Sequence, residues 1–264
     1  MSIHPTAVIH PHAKLAEDVT IGPYSIVEEG AEIGEGCVIA GHVQILGRVK
    51  LGANCEVNGG TILGGFPQDL KFDPQTVSGV EIGPENRFRE HVTIHRGATE
   101  NGWTRVGKGN YLMVGSHLGH DVQIGDDNVL ANNVLLGGHV KMGNRNFLGG
   151  GSAYHQFIHI GDYCMVKGNS SVSQDVPSYV MCALVNEVHG LNVVGLRRAG
   201  FDAAARKNLK EAYELIYRGG LNLSQALVEA GNREWSELAS AFINCFVETS
   251  GKGVCHPPKR SSKA

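Results

Sequence analysis

The stretch LGHDVQ, residues 118–123, sets a histidine beside an aspartate, His120 and Asp121. Imidazole titrates near ~6.5, so a histidine accepts a proton at neutral pH, and an adjacent carboxylate can orient the ring or hold a substrate. Gly138, further along, has no Cβ and lets a bound group approach its backbone N–H closely, which suits an oxyanion donor. His139 follows it in the fragment GGH, His155 and Gln156 lie in YHQF, and His117 stands three residues before His120. A base with an N–H donor nearby is what acyl transfer to a hydroxyl requires. His117, His120 and His139 could alternatively ligate zinc. A lone histidine on a surface turn is ordinarily just solvated, so the chemistry rests on whether the chain brings these residues together.

The element that would do so is a repeat. Apolar residues recur every six positions from Ile3 to Leu63, again at Ile82, Phe88 and Ile94, and from Val106 through Leu118, Leu136 and Tyr154 to Val172. Six is neither a helical period nor a simple strand alternation. It suits a short strand plus a turn, three of which close a triangular coil of 18 residues with the apolar residue inside. Glycine, frequent one place after the apolar residue, is expected to help the corner turn. About nine coils at ~4.8 Å per stacked strand make a prism roughly 40 Å long. An 18-residue coil stacks His120, Gly138 and Gln156 in one column and Asp121, His139 and Phe157 in the next. Insertions at 64–81 and 97–105 break the register and are expected as loops on a functional face. After Val176-Pro177 the period stops. Asp202 reads as the N-cap of a helix ending at Gly219-Gly220, and LSQALVEAG and REWSELASAFINCFVETSG also read as helices. The expected organisation is a β-prism over 1–190 and a helical domain over 191–264 that covers the prism's open strand edge.

Composition agrees with this class. The chain of 264 residues holds 36 glycines and only 6% aromatics, which favours turns and small side chains over a conventional aromatic core. A net charge of −3 gives no global nucleic-acid signature. Residues 197–264 nevertheless carry 11 Lys and Arg against 7 Asp and Glu, and Arg206, Lys207 and Lys210 fall within one predicted helix. Such a surface suits an acidic partner. No apolar run has membrane-spanning length, and the first residues have no signal-peptide pattern. Six cysteines without a CxxC pair point to a reduced, cytoplasmic protein with structural thiols.

The hexad pattern over residues 3 to about 176 resembles the hexapeptide-repeat, left-handed β-helix acyltransferases. QDLK (68–71), VTIHRG (92–97), HLGHD (117–121), GGH (137–139), HQF (155–157), QDVPSYV (174–180) and LIYRGG (215–220) narrow it. In that order they resemble the UDP-N-acetylglucosamine O-acyltransferase family, acyl-carrier-protein-dependent enzymes that open lipid A biosynthesis. The resemblance implies a homotrimer with sites between adjacent prisms. It also implies transfer of a 3-hydroxyacyl chain, carried on the phosphopantetheine of acyl carrier protein, to the glucosamine 3-hydroxyl of UDP-N-acetylglucosamine, with no separate cofactor or metal. By the same resemblance His120 is the general base, Gly138 the oxyanion donor, and Asp121, His117, His139, His155 and Gln156 shape the site. Asp69 and Lys71 contact the sugar nucleotide, Asn192 and Arg198 the nucleotide and its phosphates, and Gly168 ends the acyl groove. The chain departs from the family pattern N-x-E-G-L-x-R-R at Val194 and Ala199. An acetyl-CoA-dependent sugar acetyltransferase and a non-catalytic hexapeptide scaffold are the rival readings.

Overall fold

A computed structural model describes residues 1–258. The hexads form a left-handed parallel β-helix whose three flat faces are sheets of two- to five-residue strands. The first face begins with Ser2–Ile3, the second with Val8–Ile9 and the third with Lys14–Leu15. Away from the insertions and the last coil each strand pairs with the one 18 residues on, as Ser2 with Thr20 and His117 with Leu135. The hexad residues Ile21, Ile39, Leu118, Leu136 and Leu148 are at most 1% exposed. Burying each such side chain contributes about 1.5–3 kcal/mol.

The corners show two different uses of residue type. The residue three places after the apolar one takes the left-handed conformation: φ is 59° at Asp121, 61° at His139 and 58° at Asn133. This region favours Asn and Asp among residues with a Cβ. The glycine one place after the apolar residue does not turn the chain. It lets the next coil come close: a Cβ on Gly119 would lie 2.8 Å from the Gly138 nitrogen, and one on Gly149 would lie 2.3 Å from the Gly168 nitrogen. The expectation that these glycines turn the corner is therefore corrected.

Inside the prism, Asn86, Asn110, Asn128 and Asn146 stack in one buried column. The Oδ1 of each of the first three accepts both the N–H and the Nδ2–H of the asparagine one coil on, at 2.8–3.0 Å, and that of Asn146 accepts from the Cys164 N–H. Buried amides are satisfied this way without water.

Both insertions leave at the corner between the second and third faces. They are shorter than the sequence suggests, because the chain must rejoin the third face before the next hexad. Gly79–Ile82 and Trp103–Val106 are already strands, paired with each other, and Gly64–Gly65 still belongs to the strand before. The loops proper are 66–78 and 96–102.

Beyond residue 176 the chain departs from expectation. Val180–Ala183 extends the first face and then pairs antiparallel with Glu187–Leu191. Residues near Val254 and His256 return to bridge Asp175 and Glu187. Backbone thus covers part of the prism's open edge and pairs some of the strand N–H and C=O groups left free there. The helices pack behind it: α1 (Val193–Arg198), α2 (Ala203–Arg218), α3 (Leu223–Gly231) and α4 (Glu237–Asn244). Asp202 caps α2 as expected, accepting from the Ala205 N–H at 2.7 Å. Asn222 and Gln225 form a capping box on α3. α4 is shorter than expected; Ser236 caps it, and Trp235 before it donates its indole N–H to Ala230 O at 2.8 Å. Residues 259–264 of the expected helical domain lie outside the described residues. All six cysteines are free. Among the described residues no helix is long and apolar enough to cross a membrane.

Candidate active site

His120 and Asp121 sit in the turn after the strand His117–Leu118, at the corner where both insertions emerge. Three hydrogen bonds fix Asp121. Its backbone N–H donates to Thr104 Oγ1 at 2.8 Å, and its Oδ2 accepts from the Ala98 N–H of the second insertion at 3.0 Å. The same Oδ2 lies 2.9 Å from His120 Nδ1. With a carboxylate as partner, Nδ1 carries the proton and Nε2 keeps its lone pair. Both side chains are largely shielded, at 17% and 14% exposure.

His120 Nε2 faces Gly138. A Cβ on Gly138 would lie 2.7 Å from that nitrogen, so no larger residue fits. The Gly138 carbonyl accepts from the Phe157 N–H at 3.0 Å, while its own N–H meets no acceptor among the described residues. His139, one coil above Asp121, places Nε2 3.8 Å from Asp121 Oδ2, sets its ring edge-on to His120 at 4.9 Å and stacks on Phe157 at 4.6 Å. Burial lowers the His139 pKa, opposed by the Asp121 charge.

A second histidine pair lies beside the first. His117 Nδ1 is 2.8 Å from Thr93 Oγ1, and its ring meets His95 edge-on at 4.7 Å. Burial depresses both pKa values, that of His95 to about 4, with the neighbouring His117 and His120 adding to the shift. His95 is 9% exposed and its Nδ1 has no partner. These groups line a groove of about 520 Å³ that runs along the second face past Leu135, Ala153 and Ser171. His155 and Gln156 form its next rung, and Gln68 of the first insertion reaches it.

A metal could approach His120, Asp121 and His139, whose donor atoms all lie within 4.8 Å of one another. That set differs from the three histidines anticipated, because His117 is turned to Thr93 and His95. Asp121 Oδ2 is already the acceptor for two N–H groups, an arrangement that orients a base.

Two family models match the chain: bacterial transferase hexapeptide (six repeats) over residues 104–138, and UDP N-acetylglucosamine O-acyltransferase, domain 2, over 175–255. Acyl-[acyl-carrier-protein]–UDP-N-acetylglucosamine O-acyltransferase of Syntrophobacter fumaroxidans is 43% identical over 257 residues, covering 96% of this chain and 99% of that one. The enzyme of the same name from Paraburkholderia phymatum is 40% identical, covering 96% and 98%. The chain belongs to the UDP-N-acetylglucosamine O-acyltransferase family. The solved structures of family members from Moraxella catarrhalis and Campylobacter jejuni superpose with TM-scores of 0.90 and 0.91, at 39% and 33% identity. Each comparison covers 97% of this chain and 100% of the other.

Of the remaining residues that resemblance to the family singles out, Gly168, Asn192 and Arg198 stand away from His120 in one chain. Asp69 and Lys71 are exposed on the first insertion, where Asp69 Oδ1 accepts from the Lys71 N–H at 2.9 Å; their neighbour Gln68 lines the groove instead. Arg96 holds that loop, over the rings of Phe66 at 4.7 Å and Phe72 at 5.3 Å and donating to Pro74 O at 2.8 Å. Gly168 lies at the corner between the first and second faces, and a Cβ there would be 2.9 Å from Gly150 O. Asn192 caps α1, with Oδ1 accepting from the Gly195 N–H and Nδ2 donating to Tyr163 O. Asn192 and the exposed Arg198 therefore stand by the corner between the third and first faces. Sequence reasoning missed His95, Gln68 and Thr104. Counting hexads through the second insertion finds His95, one place after Ile94 and one coil below Gly119.

Proposed function

We propose that this protein transfers a 3-hydroxyacyl chain from acyl carrier protein to the 3-hydroxyl of the glucosamine unit of UDP-N-acetylglucosamine, with His120 as general base. The observation that carries this reading is the close approach of His120 Nε2 to Gly138, whose N–H is free. Nε2 takes the hydroxyl proton as the sugar oxygen attacks the thioester carbonyl. The oxyanion of the tetrahedral intermediate accepts from the Gly138 N–H. Collapse breaks the C–S bond, and the phosphopantetheine sulfur leaves with the proton held on His120. Asp121 stabilises the imidazolium between these steps. His117, His139, His155 and Gln156 hold substrate along the groove. The chemistry calls for no metal and no cofactor beyond the donor's own phosphopantetheine. The free thiols fit a cytoplasmic protein.

A homotrimer completes this site. The first face presents Val38, Phe147 and Met165 outward, at 49%, 41% and 37% exposure, and the second presents Val8, Ile26 and Leu135, at 64%, 38% and 46%. The third is charged, with Lys14–Glu32 and Arg105–Glu81 ion pairs. Packing the first face of one prism on the second face of the next closes a ring of three and leaves the charged face in water. The corner of His120 then meets the neighbour's corner near Asn192 and Arg198, which we assign to the nucleotide with Asp69 and Lys71. Gly168 falls near the axis, where a missing side chain leaves the groove open to a long acyl chain. Lys207 and Lys210 on α2 suit docking of the acidic carrier protein.

The test offers purified protein UDP-N-acetylglucosamine with 3-hydroxyacyl carrier protein, and separately with acetyl-CoA. O-acylated sugar nucleotide is expected only from the first. Acetyl transfer instead would make it an acetyl-CoA-dependent sugar acetyltransferase, and no transfer from either would leave a scaffold.

A further inference from the structure

At the opposite end of the prism stands a cluster that acyl transfer does not use. His10 and His12 lie in the turn after the strand Val8–Ile9, in the first coil. Glu29 lies in the turn after Ile26–Val27, the strand stacked directly on it. We propose that His10, His12 and Glu29 bind a divalent transition-metal ion of the zinc class, which clips the first coil to the second.

The geometry is close to what such an ion needs. The donor atoms of the three side chains all lie within 4.8 Å of one another. His12 Nδ1 and Glu29 Oε1 are 3.1 Å apart. A tetrahedral zinc at ~2.0–2.2 Å from nitrogen and oxygen holds its donors about 3.4 Å apart, so this pair is already spaced to share one ion in place of the proton between them. The His10 and His12 rings stand edge to face, 5.2 Å apart at 75°. His10 supplies the third donor by a side-chain rotation that gives up one long contact, 3.2 Å from the His12 N–H to His10 Nδ1. The fourth position is left to water.

The position gives the ion something to do. The strands of the first coil pair on one side only, and its inward-facing Ile3 remains 38% exposed. Terminal coils of a solenoid are the first to open. A ligand set divided between coils one and two resists that opening, because the ion binds only while they are stacked. The cluster lies on the same prism edge as His120, five strand spacings away along the second face, or about 24 Å. The two sites are therefore separable by mutation.

The experiment titrates chelator-stripped full-length protein with zinc chloride by calorimetry and follows amide exchange of residues 2–15. We expect one ion per chain at this site, binding weakened at least tenfold by His12→Ala and likewise by Glu29→Gln, and slower exchange of the first coil on adding zinc. His120→Ala should leave the titration as it is. An undiminished titration in both His12→Ala and Glu29→Gln would overturn the proposal. So would loss of binding in His120→Ala, which would put the ion on the His120–Asp121–His139 cluster.

Discussion

His120 is distinguished by its neighbours and not by its type. An outward histidine on a turn is commonplace; one whose Nδ1 is held by a fixed carboxylate and whose Nε2 faces a glycine with a free N–H is equipped for proton transfer. These residues were legible because the coil length is constant over them, so arithmetic alone stacks 120, 138 and 156. His95 was not, because an insertion interrupts the count beneath it. Asn192 was singled out by the resemblance to the family, but its side chain also caps α1 and binds Tyr163 O, which no local spacing reveals. The buried imidazoles give a pH prediction. Above about 6.5 His95 is neutral folded and unfolded. Between about 6.5 and its folded value of about 4, the unfolded chain binds a proton that the folded protein refuses. Stability therefore falls as pH drops through that window, by at most about 1.4 kcal/mol per pH unit for one such group. Thermal melts of wild type and His95→Gln from pH 7 to pH 4 check this. The variant should lose Tm less steeply, and parallel curves would contradict it.

At the scale of the element, the hexad is the most legible feature, since coil after coil beyond the first repeats the same burial. The insertions were visible as breaks, but their ends were not, because Gly79–Ile82 and Trp103–Val106 must rejoin the third face. α2 was readable from its Asp202 cap and flanking glycines, and α3 from the stretch LSQALVEAG. The hairpin of 180–191 and the return of 254–256 carry no period; they exist because the last coil's edge needs backbone partners. The asparagine column supplies the prediction here. Asn128→Ala removes the acceptor of the Asn146 N–H and Nδ2–H, and the donor to Asn110 Oδ1 and Gly143 O. Each buried group left unpaired costs about 1–3 kcal/mol, so the loss should exceed roughly 2 kcal/mol. Urea denaturation measures it; a change within about 0.5 kcal/mol would mean that water replaces the asparagine.

For the whole molecule, one chain holds the base, the donor, the groove and the loop of Asp69 and Lys71 together, while Asn192 and Arg198, assigned to the nucleotide, and Gly168, assigned to the end of the acyl chain, stand at the other two corners. The proposed assembly of three, with apolar faces inward, would set the Asn192 corner of one chain against the His120 corner of the next. The central claim is that His120 performs the proton transfer within that assembly. The direct measurement is kcat of His120→Ala with the carrier-bound donor, on protein whose mass by light scattering is three times the 28.2 kDa chain. The account predicts a loss of about 10²–10⁴-fold with the trimer intact, the usual worth of a general base; an intact trimer that loses less than tenfold would contradict it.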